Sequence, residues 1–216
     1  MKIRILLADD HQIFREGLRS LIERQADLEV VGDAETGRVA VKKALQLKPD
    51  VVIMDIAMPD MNGIEATHQI RAQLPDTKVI ALSMHSDKRF VSGMLHAGAL
   101  GYLLKANAFD EVVQATRTVM NNKHYVSGDV ADTIVSDYVS QMSQTAPSPR
   151  TLLSPREREV LQLLAEGYGT KDIAERLLVS TNTVDTHRAH IMTKLNIRTI
   201  ADLVKYAVRE GLTSLE

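Results

Sequence analysis

The amino-acid sequence predicts two domains, a doubly wound α/β domain built on a (βα)5 parallel sheet and then a small all-α domain of four helices. Three observations predict this. Over residues 1–121 short aliphatic runs alternate with amphipathic stretches, the pattern of parallel strands buried under helices on both faces. From Leu153 onward only helical periodicity remains. Between them, residues 143–150 hold two prolines among small polar side chains, a composition that disfavours helix and makes an extended connector.

The five strands are predicted at residues 3–8, 30–33, 51–54, 79–83 and 101–104, each aliphatic or β-branched and short enough to be a buried strand. The helices between them carry Ile13, Gly17, Leu18, Leu21 and Ile22, then Val39, Ala40, Ala44 and Leu45, then Ile64, Thr67, Ile70 and Leu74, all at helical spacing. Residues 108–121 form the last helix of this domain. In the connecting region, 122–150, residues 125–142 place Val130, Ile134, Tyr138 and Val139 in helical period and predict one further helix. The C-terminal domain, 151–216, opens with Ser154 as N-cap, Pro155 at the first helical position and Glu157 at the third, a capping box. Helices near residues 170–178, 181–195 and 199–210 follow.

Composition narrows the function classes. A chain of 216 residues with 44% hydrophobic and 25% charged residues is long enough for two cores and too apolar for general disorder. No apolar run approaches the roughly 20 residues that cross a bilayer, and the N-terminal run ends on Asp9 and Asp10, unlike a signal peptide or anchor. No membrane partner is expected. The absence of cysteine removes disulfides, thiolate metal sites and thiol nucleophiles, and fits a cytoplasmic protein. Residues 151–216 hold nine basic and nine acidic side chains, so one copy of that domain has modest non-specific affinity for nucleic acid.

Three carboxylates fall at predicted strand ends, Asp9 and Asp10 after the first strand and Asp55 after the third, with Ser83 and Lys105 ending the fourth and fifth. Open α/β sheets bind ligands beyond the carboxyl ends of their strands, so the five side chains converge there. Clustered carboxylates repel one another unless a hard cation such as Mg2+ shares them. A carboxylate nucleophile, a cation, an ammonium and a hydroxyl together suit phosphoryl transfer. Taken singly, each residue has an ordinary reading: a capping turn for the Asp pair, a solvated lysine, a serine bonded to nearby backbone. All five at strand ends is a joint event those readings explain poorly.

The runs LADDH at 7–11, VIMDIAMPDMNG at 52–63, ALSMH at 81–85 and GALGYLLK at 98–105 resemble a response-regulator receiver domain, with a flavodoxin-like fold. The resemblance implies that Asp55 accepts the phosphoryl group and that Mg2+ is held by Asp10 directly, Asp9 through water, Asp55 and the Ala57 carbonyl. It makes Ser83 the hydroxyl that moves toward the phosphoryl group, Tyr102 the aromatic switch and Lys105 the phosphate-pairing cation. Many receivers have a small residue where Met84 stands and proline where Ala106 stands. Met84 is therefore expected to narrow access to Asp55, and the geometry of the Lys105–Ala106 peptide is open.

The third C-terminal helix places Val184, Ile191 and Leu195 on one face and Asn182, Asp185, Thr186, Ala189 and Thr193 on the other. Docked on a helix carrying Ile173, Ala174 and Leu177, it leaves a face of short side chains able to enter a major groove. Periodicity alone favours a plain four-helix packing module with a solvated face over a DNA reader. LSPREREVLQLLAEG at 153–167, TKDIAERL at 170–177 and STNTVDTHRAHIMTKL at 180–195 resemble a LuxR-type helix-turn-helix, and the whole chain resembles the NarL/FixJ response regulators. By position, the resemblance turns Asp185, Thr186 and Ala189 to base edges and Lys171, Thr181, Thr183, Arg188, His190 and Lys194 to phosphates. Some relatives carry lysine at the positions of Asp185 and Ala189; an acid at 185 favours a cytosine amino group and repels phosphate. His187 reads as a packed or capping residue.

The implied protein is a transcriptional regulator rather than an enzyme, apart from slow Mg2+-dependent self-phosphorylation and self-dephosphorylation. Its implied partners are a sensor histidine kinase, promoter duplex DNA, a second copy of itself on phosphorylation, and RNA polymerase. An aspartyl-phosphate phosphatase or mutase is the enzymatic rival, but it lacks a second acid placed near Asp55 as proton donor. A phosphorylation-controlled protein-binding adaptor is the third alternative.

Overall fold

The computed structural model describes residues 2–84, 86–128, 130, 131, 134, 135 and 153–213. The chain divides into two compact units, Met1–Gln144 and Thr145–Glu216.

In the first unit, β1 (Ile3–Ala8), α1 (Gln12–Glu23), β2 (Leu28–Ala34), α2 (Gly37–Leu47), β3 (Val51–Asp55), α3 (Gly63–Gln73), β4 (Lys78–Ser83), α4 (Lys88–His96), β5 (Gly101–Leu104) and α5 (Ala108–Met120) alternate strictly, and a short β6 (Tyr125–Val126) follows. All pairings are parallel and the strand order is β2-β1-β3-β4-β5-β6. The order reverses between β1 and β3, which opens a crevice at their carboxyl ends.

Strand alternation divides the core in two. Ile5, Leu7, Ile53, Ile80, Leu82 and Leu103 pack on one face with Leu18, Ile22, Val112 and Val119 of α1 and α5. Leu6, Val52, Met54, Val79, Ala81 and Tyr102 pack on the other with Ala40, Ala44, Ile70, Val91 and Met94 of α2, α3 and α4. Each fully buried aliphatic side chain contributes roughly 1.5–3 kcal/mol, so these two layers carry most of the favourable free energy of the unit. Asn62 caps α3, its side chain accepting from the Glu65 N–H at 2.9 Å. Gly63 lies so close to the preceding strand end that a Cβ there would stand 2.0 Å from the Asp55 carbonyl oxygen.

Two expectations need correction. Ile13 is 87% exposed and not part of the α1 core face. Nine residues at about 100° each put it about 180° from buried Ile22, and Phe14 packs inward instead. Residues 125–126 are strand rather than helix, because the Tyr125 N–H donates to the Leu100 carbonyl at 3.0 Å and the Ser127 N–H to Tyr102 at 3.0 Å. Helical backbone is present at Gly128, Val130, Ala131, Ile134 and Val135, with Val130 buried and Ile134 packed against the Tyr102 side of the core. The rest of that predicted helix, residues 136–142, and the connector 143–150 lie outside the described residues.

The second unit contains α6 (Pro155–Ala165), α7 (Thr170–Leu177), α8 (Thr181–Leu195) and α9 (Ile200–Arg209). Its core joins Val160, Leu161, Leu163, Ile173, Val184, Ile191, Leu203 and Ala207. The capping box forms as expected, with Ser154 Oγ accepting from Glu157 N–H at 3.3 Å and Glu157 Oε2 accepting from Ser154 N–H at 2.7 Å. α7 ends on Leu178 in the left-handed region, φ 54°, and the chain turns within three residues into α8.

Gly63→Ala is expected to lower the stability of the first unit by about 1–3 kcal/mol, since its methyl group meets backbone that cannot yield cheaply. Urea unfolding should show a lower midpoint at unchanged slope. An unchanged midpoint would mean that this loop moves freely.

Candidate phosphoryl-acceptor site and nucleic-acid interface

The carboxyl ends of β1, β3, β4 and β5 bring Asp9, Asp10, Asp55, Ser83 and Lys105 to one rim. Lys105 Nζ stands 2.7 Å from Asp55 Oδ2 and 2.7 Å from Asp9 Oδ2, with all three residues buried. The Ala57 N–H donates to Asp55 Oδ1 at 3.3 Å. Carboxylate oxygens of Asp9, Asp10 and Asp55 and a ring nitrogen of His11 lie within 4.8 Å of one another.

Electrostatics follow from burial. Desolvation raises the Asp55 pKa to about 6, the Asp9 charge adds to the rise, and Lys105 and the Ala57 N–H oppose it. Burial alone would lower the Lys105 pKa, but Asp55 and Asp9 outweigh it and the net direction is upward. Tyr102 is fully buried and shares a side-chain hydrogen bond with Ser83; its pKa is pushed up to about 12, chiefly by desolvation, with Asp87 and Asp55 adding to the rise.

Asp9 Oδ2 and Asp10 Oδ1 are buried and accept no well-directed hydrogen bond. Their electrostatic neighbours are Lys105 at 2.7 Å and His11 Nδ1 at 2.8 Å. Three clustered carboxylates with under-used buried oxygens form a donor set that could hold a divalent cation. Met84 turns outward, 71% exposed, rather than roofing Asp55. The described residues contain no cis peptide bond, so Lys105–Ala106 is trans. His85, which closes the ALSMH run, lies outside the described residues.

Three neighbours escaped the sequence reading. His11 caps α1 positionally and turns its ring to the carboxylates. Phe14 places its ring centroid 5.1 Å from Lys105 Nζ. Arg15 is buried and donates from Nη1 to the Asp9 carbonyl at 2.6 Å. Spacing held a signal: residues 11, 14 and 15 share one helix face directed back at the β1 end.

On α8, Val184 and Ile191 are buried and Leu195 is half-buried, while Asn182, Asp185, Thr186, Ala189 and Thr193 are exposed. Lys171, Thr181 and His190 are exposed too, with Thr183, His187 and Arg188 intermediate. Thr186 Oγ1 donates to the Asn182 carbonyl at 2.8 Å, and Arg188 lies 3.2 Å from Asp185. Lys194 Nζ lies 2.7 Å from Glu157 Oε2, tying α8 to the start of α6. Although burial works to raise it, the Glu157 pKa is lowered, because Lys194 and the Ser154 capping bonds favour the carboxylate.

Residues 5–117 match the response regulator receiver domain, and residues 151–207 match the bacterial regulatory proteins of the luxR family. The chain is a response regulator. It is 41% identical over 216 residues to the oxygen regulatory protein NreC of Staphylococcus epidermidis, covering 97% of this chain and 99% of that one. The RcsB response regulator of Salmonella typhimurium matches at 27% identity with a TM-score of 0.64, over 97% of this chain and 98% of RcsB. An RcsB–DNA complex matches at 27% identity and a TM-score of 0.59, over 95% of this chain and 98% of that one. The regulator is thus a phosphorylation-dependent transcription factor with a flavodoxin-like receiver and a LuxR-type DNA-binding domain. Among its described residues no helix is long and apolar enough to cross a membrane.

The raised Asp55 pKa carries a sign. Unfolded, this carboxyl ionises above about 3.8, whereas folded it holds its proton to about 6. Its contribution therefore falls as pH rises from about 4 to 6, by on the order of 3 kcal/mol. In metal-free buffer Asp55→Asn is expected to raise the urea midpoint above pH 6, with the advantage fading toward pH 4. An advantage independent of pH would contradict the burial account.

Proposed function

We propose that Asp55 accepts a phosphoryl group from a sensor histidine kinase and that the receiver state controls assembly of two DNA-binding domains on a promoter. The reading is carried by one observation: a buried Asp55 at the switch point of the sheet, with Lys105 Nζ 2.7 Å away. In transfer, an Asp55 carboxylate oxygen forms the new bond to phosphorus as the bond to the donor's imidazole nitrogen breaks, and the imidazole leaves. Lys105, freed from pairing the carboxylate, pairs with phosphoryl oxygens. The Ser83 hydroxyl donates to one of them, and Tyr102, bonded to Ser83, registers the change in the core.

Asp9, Asp10, Asp55 and the Ala57 carbonyl are the groups that would hold Mg2+, whose chemistry is to offset charge on the phosphoryl oxygens. The same rim supports slow self-phosphorylation from a small phosphodonor and slow self-dephosphorylation. The functional division we propose is a receiver over 1–121, a connector over 122–150 and a DNA-binding domain over 151–216, acting in the cytoplasm and meeting RNA polymerase at the promoter.

For DNA, α8 is the reading helix. Asp185, Thr186 and Ala189 face base edges, while Lys171, Thr181, Thr183, Arg188 and His190 meet phosphates. The Thr186 hydroxyl proton is committed to its own helix, so toward a base it offers an acceptor oxygen and a methyl group. Lys194, with its Glu157 partner, serves both the domain and a neighbouring phosphate. A domain with no net positive charge gains useful affinity by pairing on two half-sites, which makes dimerisation the step that phosphorylation controls.

With acetyl phosphate and Mg2+, Asp55→Asn should lose all labelling that wild type shows; equal labelling would remove Asp55 as acceptor. Arg188→Ala should weaken binding to all duplexes alike and reduce the salt slope by about 1. Unchanged affinity would place the DNA elsewhere. Lys194→Met should weaken DNA binding and also cost about 0.5–1 kcal/mol of stability through loss of the Glu157 pair. A thermal unfolding midpoint equal to wild type would show that pair to be idle.

A further inference from the structure

His11 sits at the N-cap of α1 but makes no capping hydrogen bond. That position favours serine, threonine, asparagine or aspartate, whose short oxygens reach the first amides of the helix. The imidazole turns the other way. Nδ1 lies 2.8 Å from Asp10 Oδ1 and 3.2 Å from Asp9 Oδ1, and a ring nitrogen shares the 4.8 Å cluster with Asp55. Side-chain exposure rises from 2% at Asp9 and 3% at Asp55 through 27% at Asp10 to 62% at His11. The ring therefore stands at the mouth of the cluster, held there by polar contact rather than by packing.

We propose that His11 is a fourth side-chain ligand of the acidic site and gives it a preference for nitrogen-accepting divalent ions, Mn2+ over Mg2+. The proposal rests on the reading of Asp9, Asp10 and Asp55 as a divalent-cation site. Carboxylates and carbonyls serve Mg2+ and Mn2+ alike, whereas imidazole nitrogen adds affinity for first-row transition ions and little for hard Mg2+. Asp10 Oδ1, buried and accepting no well-directed hydrogen bond, stands 2.8 Å from the ring nitrogen, and the Asp9 oxygen on that side is Oδ1 at 3.2 Å, while Asp9 Oδ2 faces Lys105. One residue thus converts an all-oxygen set into a mixed set without disturbing Lys105.

The test uses the unphosphorylated full-length protein, titrated calorimetrically with Mg2+ and with Mn2+, beside His11→Ala and His11→Asn. The asparagine variant supplies a good N-cap, so loss of helix α1 cannot imitate loss of a ligand. In both variants Mn2+ affinity is expected to fall about tenfold, while Mg2+ affinity changes less than about threefold. Bound Mn2+ in the wild type should show nitrogen-14 modulation in pulsed electron paramagnetic resonance, and both variants should lose it. Intact Mg2+ binding with Mn2+ affinity and nitrogen modulation unaffected by either variant would overturn the role of His11 and leave the cation site standing. Absence of binding by either ion in the wild type would overturn both.

Discussion

One ammonium shared between two buried carboxylates is the constraint on which the receiver is organised. Lys105 reaches from the end of β5 to Asp55 at the end of β3 and Asp9 at the end of β1. Removing two anions and a cation from water is costly, and only their mutual attraction at close range offsets it. The balance is incomplete: burial, and after it the neighbouring Asp9 charge, raise the Asp55 pKa against the pull of Lys105. Under the proposed role of Asp55, the carboxylate that would take up a phosphoryl group is already held beside the cation that would pair with it. Gly63 and Asn62 belong to the same arrangement, because the missing Cβ lets the chain pass close to the Asp55 carbonyl and the Asn62 cap then starts α3.

The DNA-binding unit depends on a smaller version of the same idea. Glu157 closes the capping box of α6 and also receives Lys194 from the last turn of α8, so one buried carboxylate fixes both a helix start and the position of α8. The exposed face of α8 is left with Asp185 paired to Arg188 and with threonine hydroxyls bonded to their own helix. Little on that face is strongly cationic, in keeping with its nine basic and nine acidic residues.

Legibility in the sequence followed how local each cause was. The inner strands could be read because both faces are buried, making β3 and β4 nearly unbroken aliphatic runs, and the capping box could be read because its three determinants lie within four residues. Ile13 misled because hydrophobicity does not reveal which side of a helix meets the sheet, and Phe14 one residue later took the inward position. β6 was invisible for another reason: two residues are too few for a period, and their strand character comes from Leu100 and Tyr102 across the ladder. The rim was legible in Asp9, Asp10, Asp55, Ser83 and Lys105, which end strands. His11 and Arg15 were not, because their roles depend on α1 turning back over the end of β1.

The short β6 has a bearing on how the molecule avoids its own kind. A parallel sheet ends in rows of unpaired amides and carbonyls, which recruit strands from other chains when left bare. β6 occupies the outer edge of β5 beside Tyr102, and Ser127 extends the cover by accepting the Leu104 N–H and donating to Glu111. The outermost strand on this side is therefore only two residues long, a short template for a strand from another chain. On the β5 side, then, two residues of ladder and one serine leave little bare backbone for another chain to pair with.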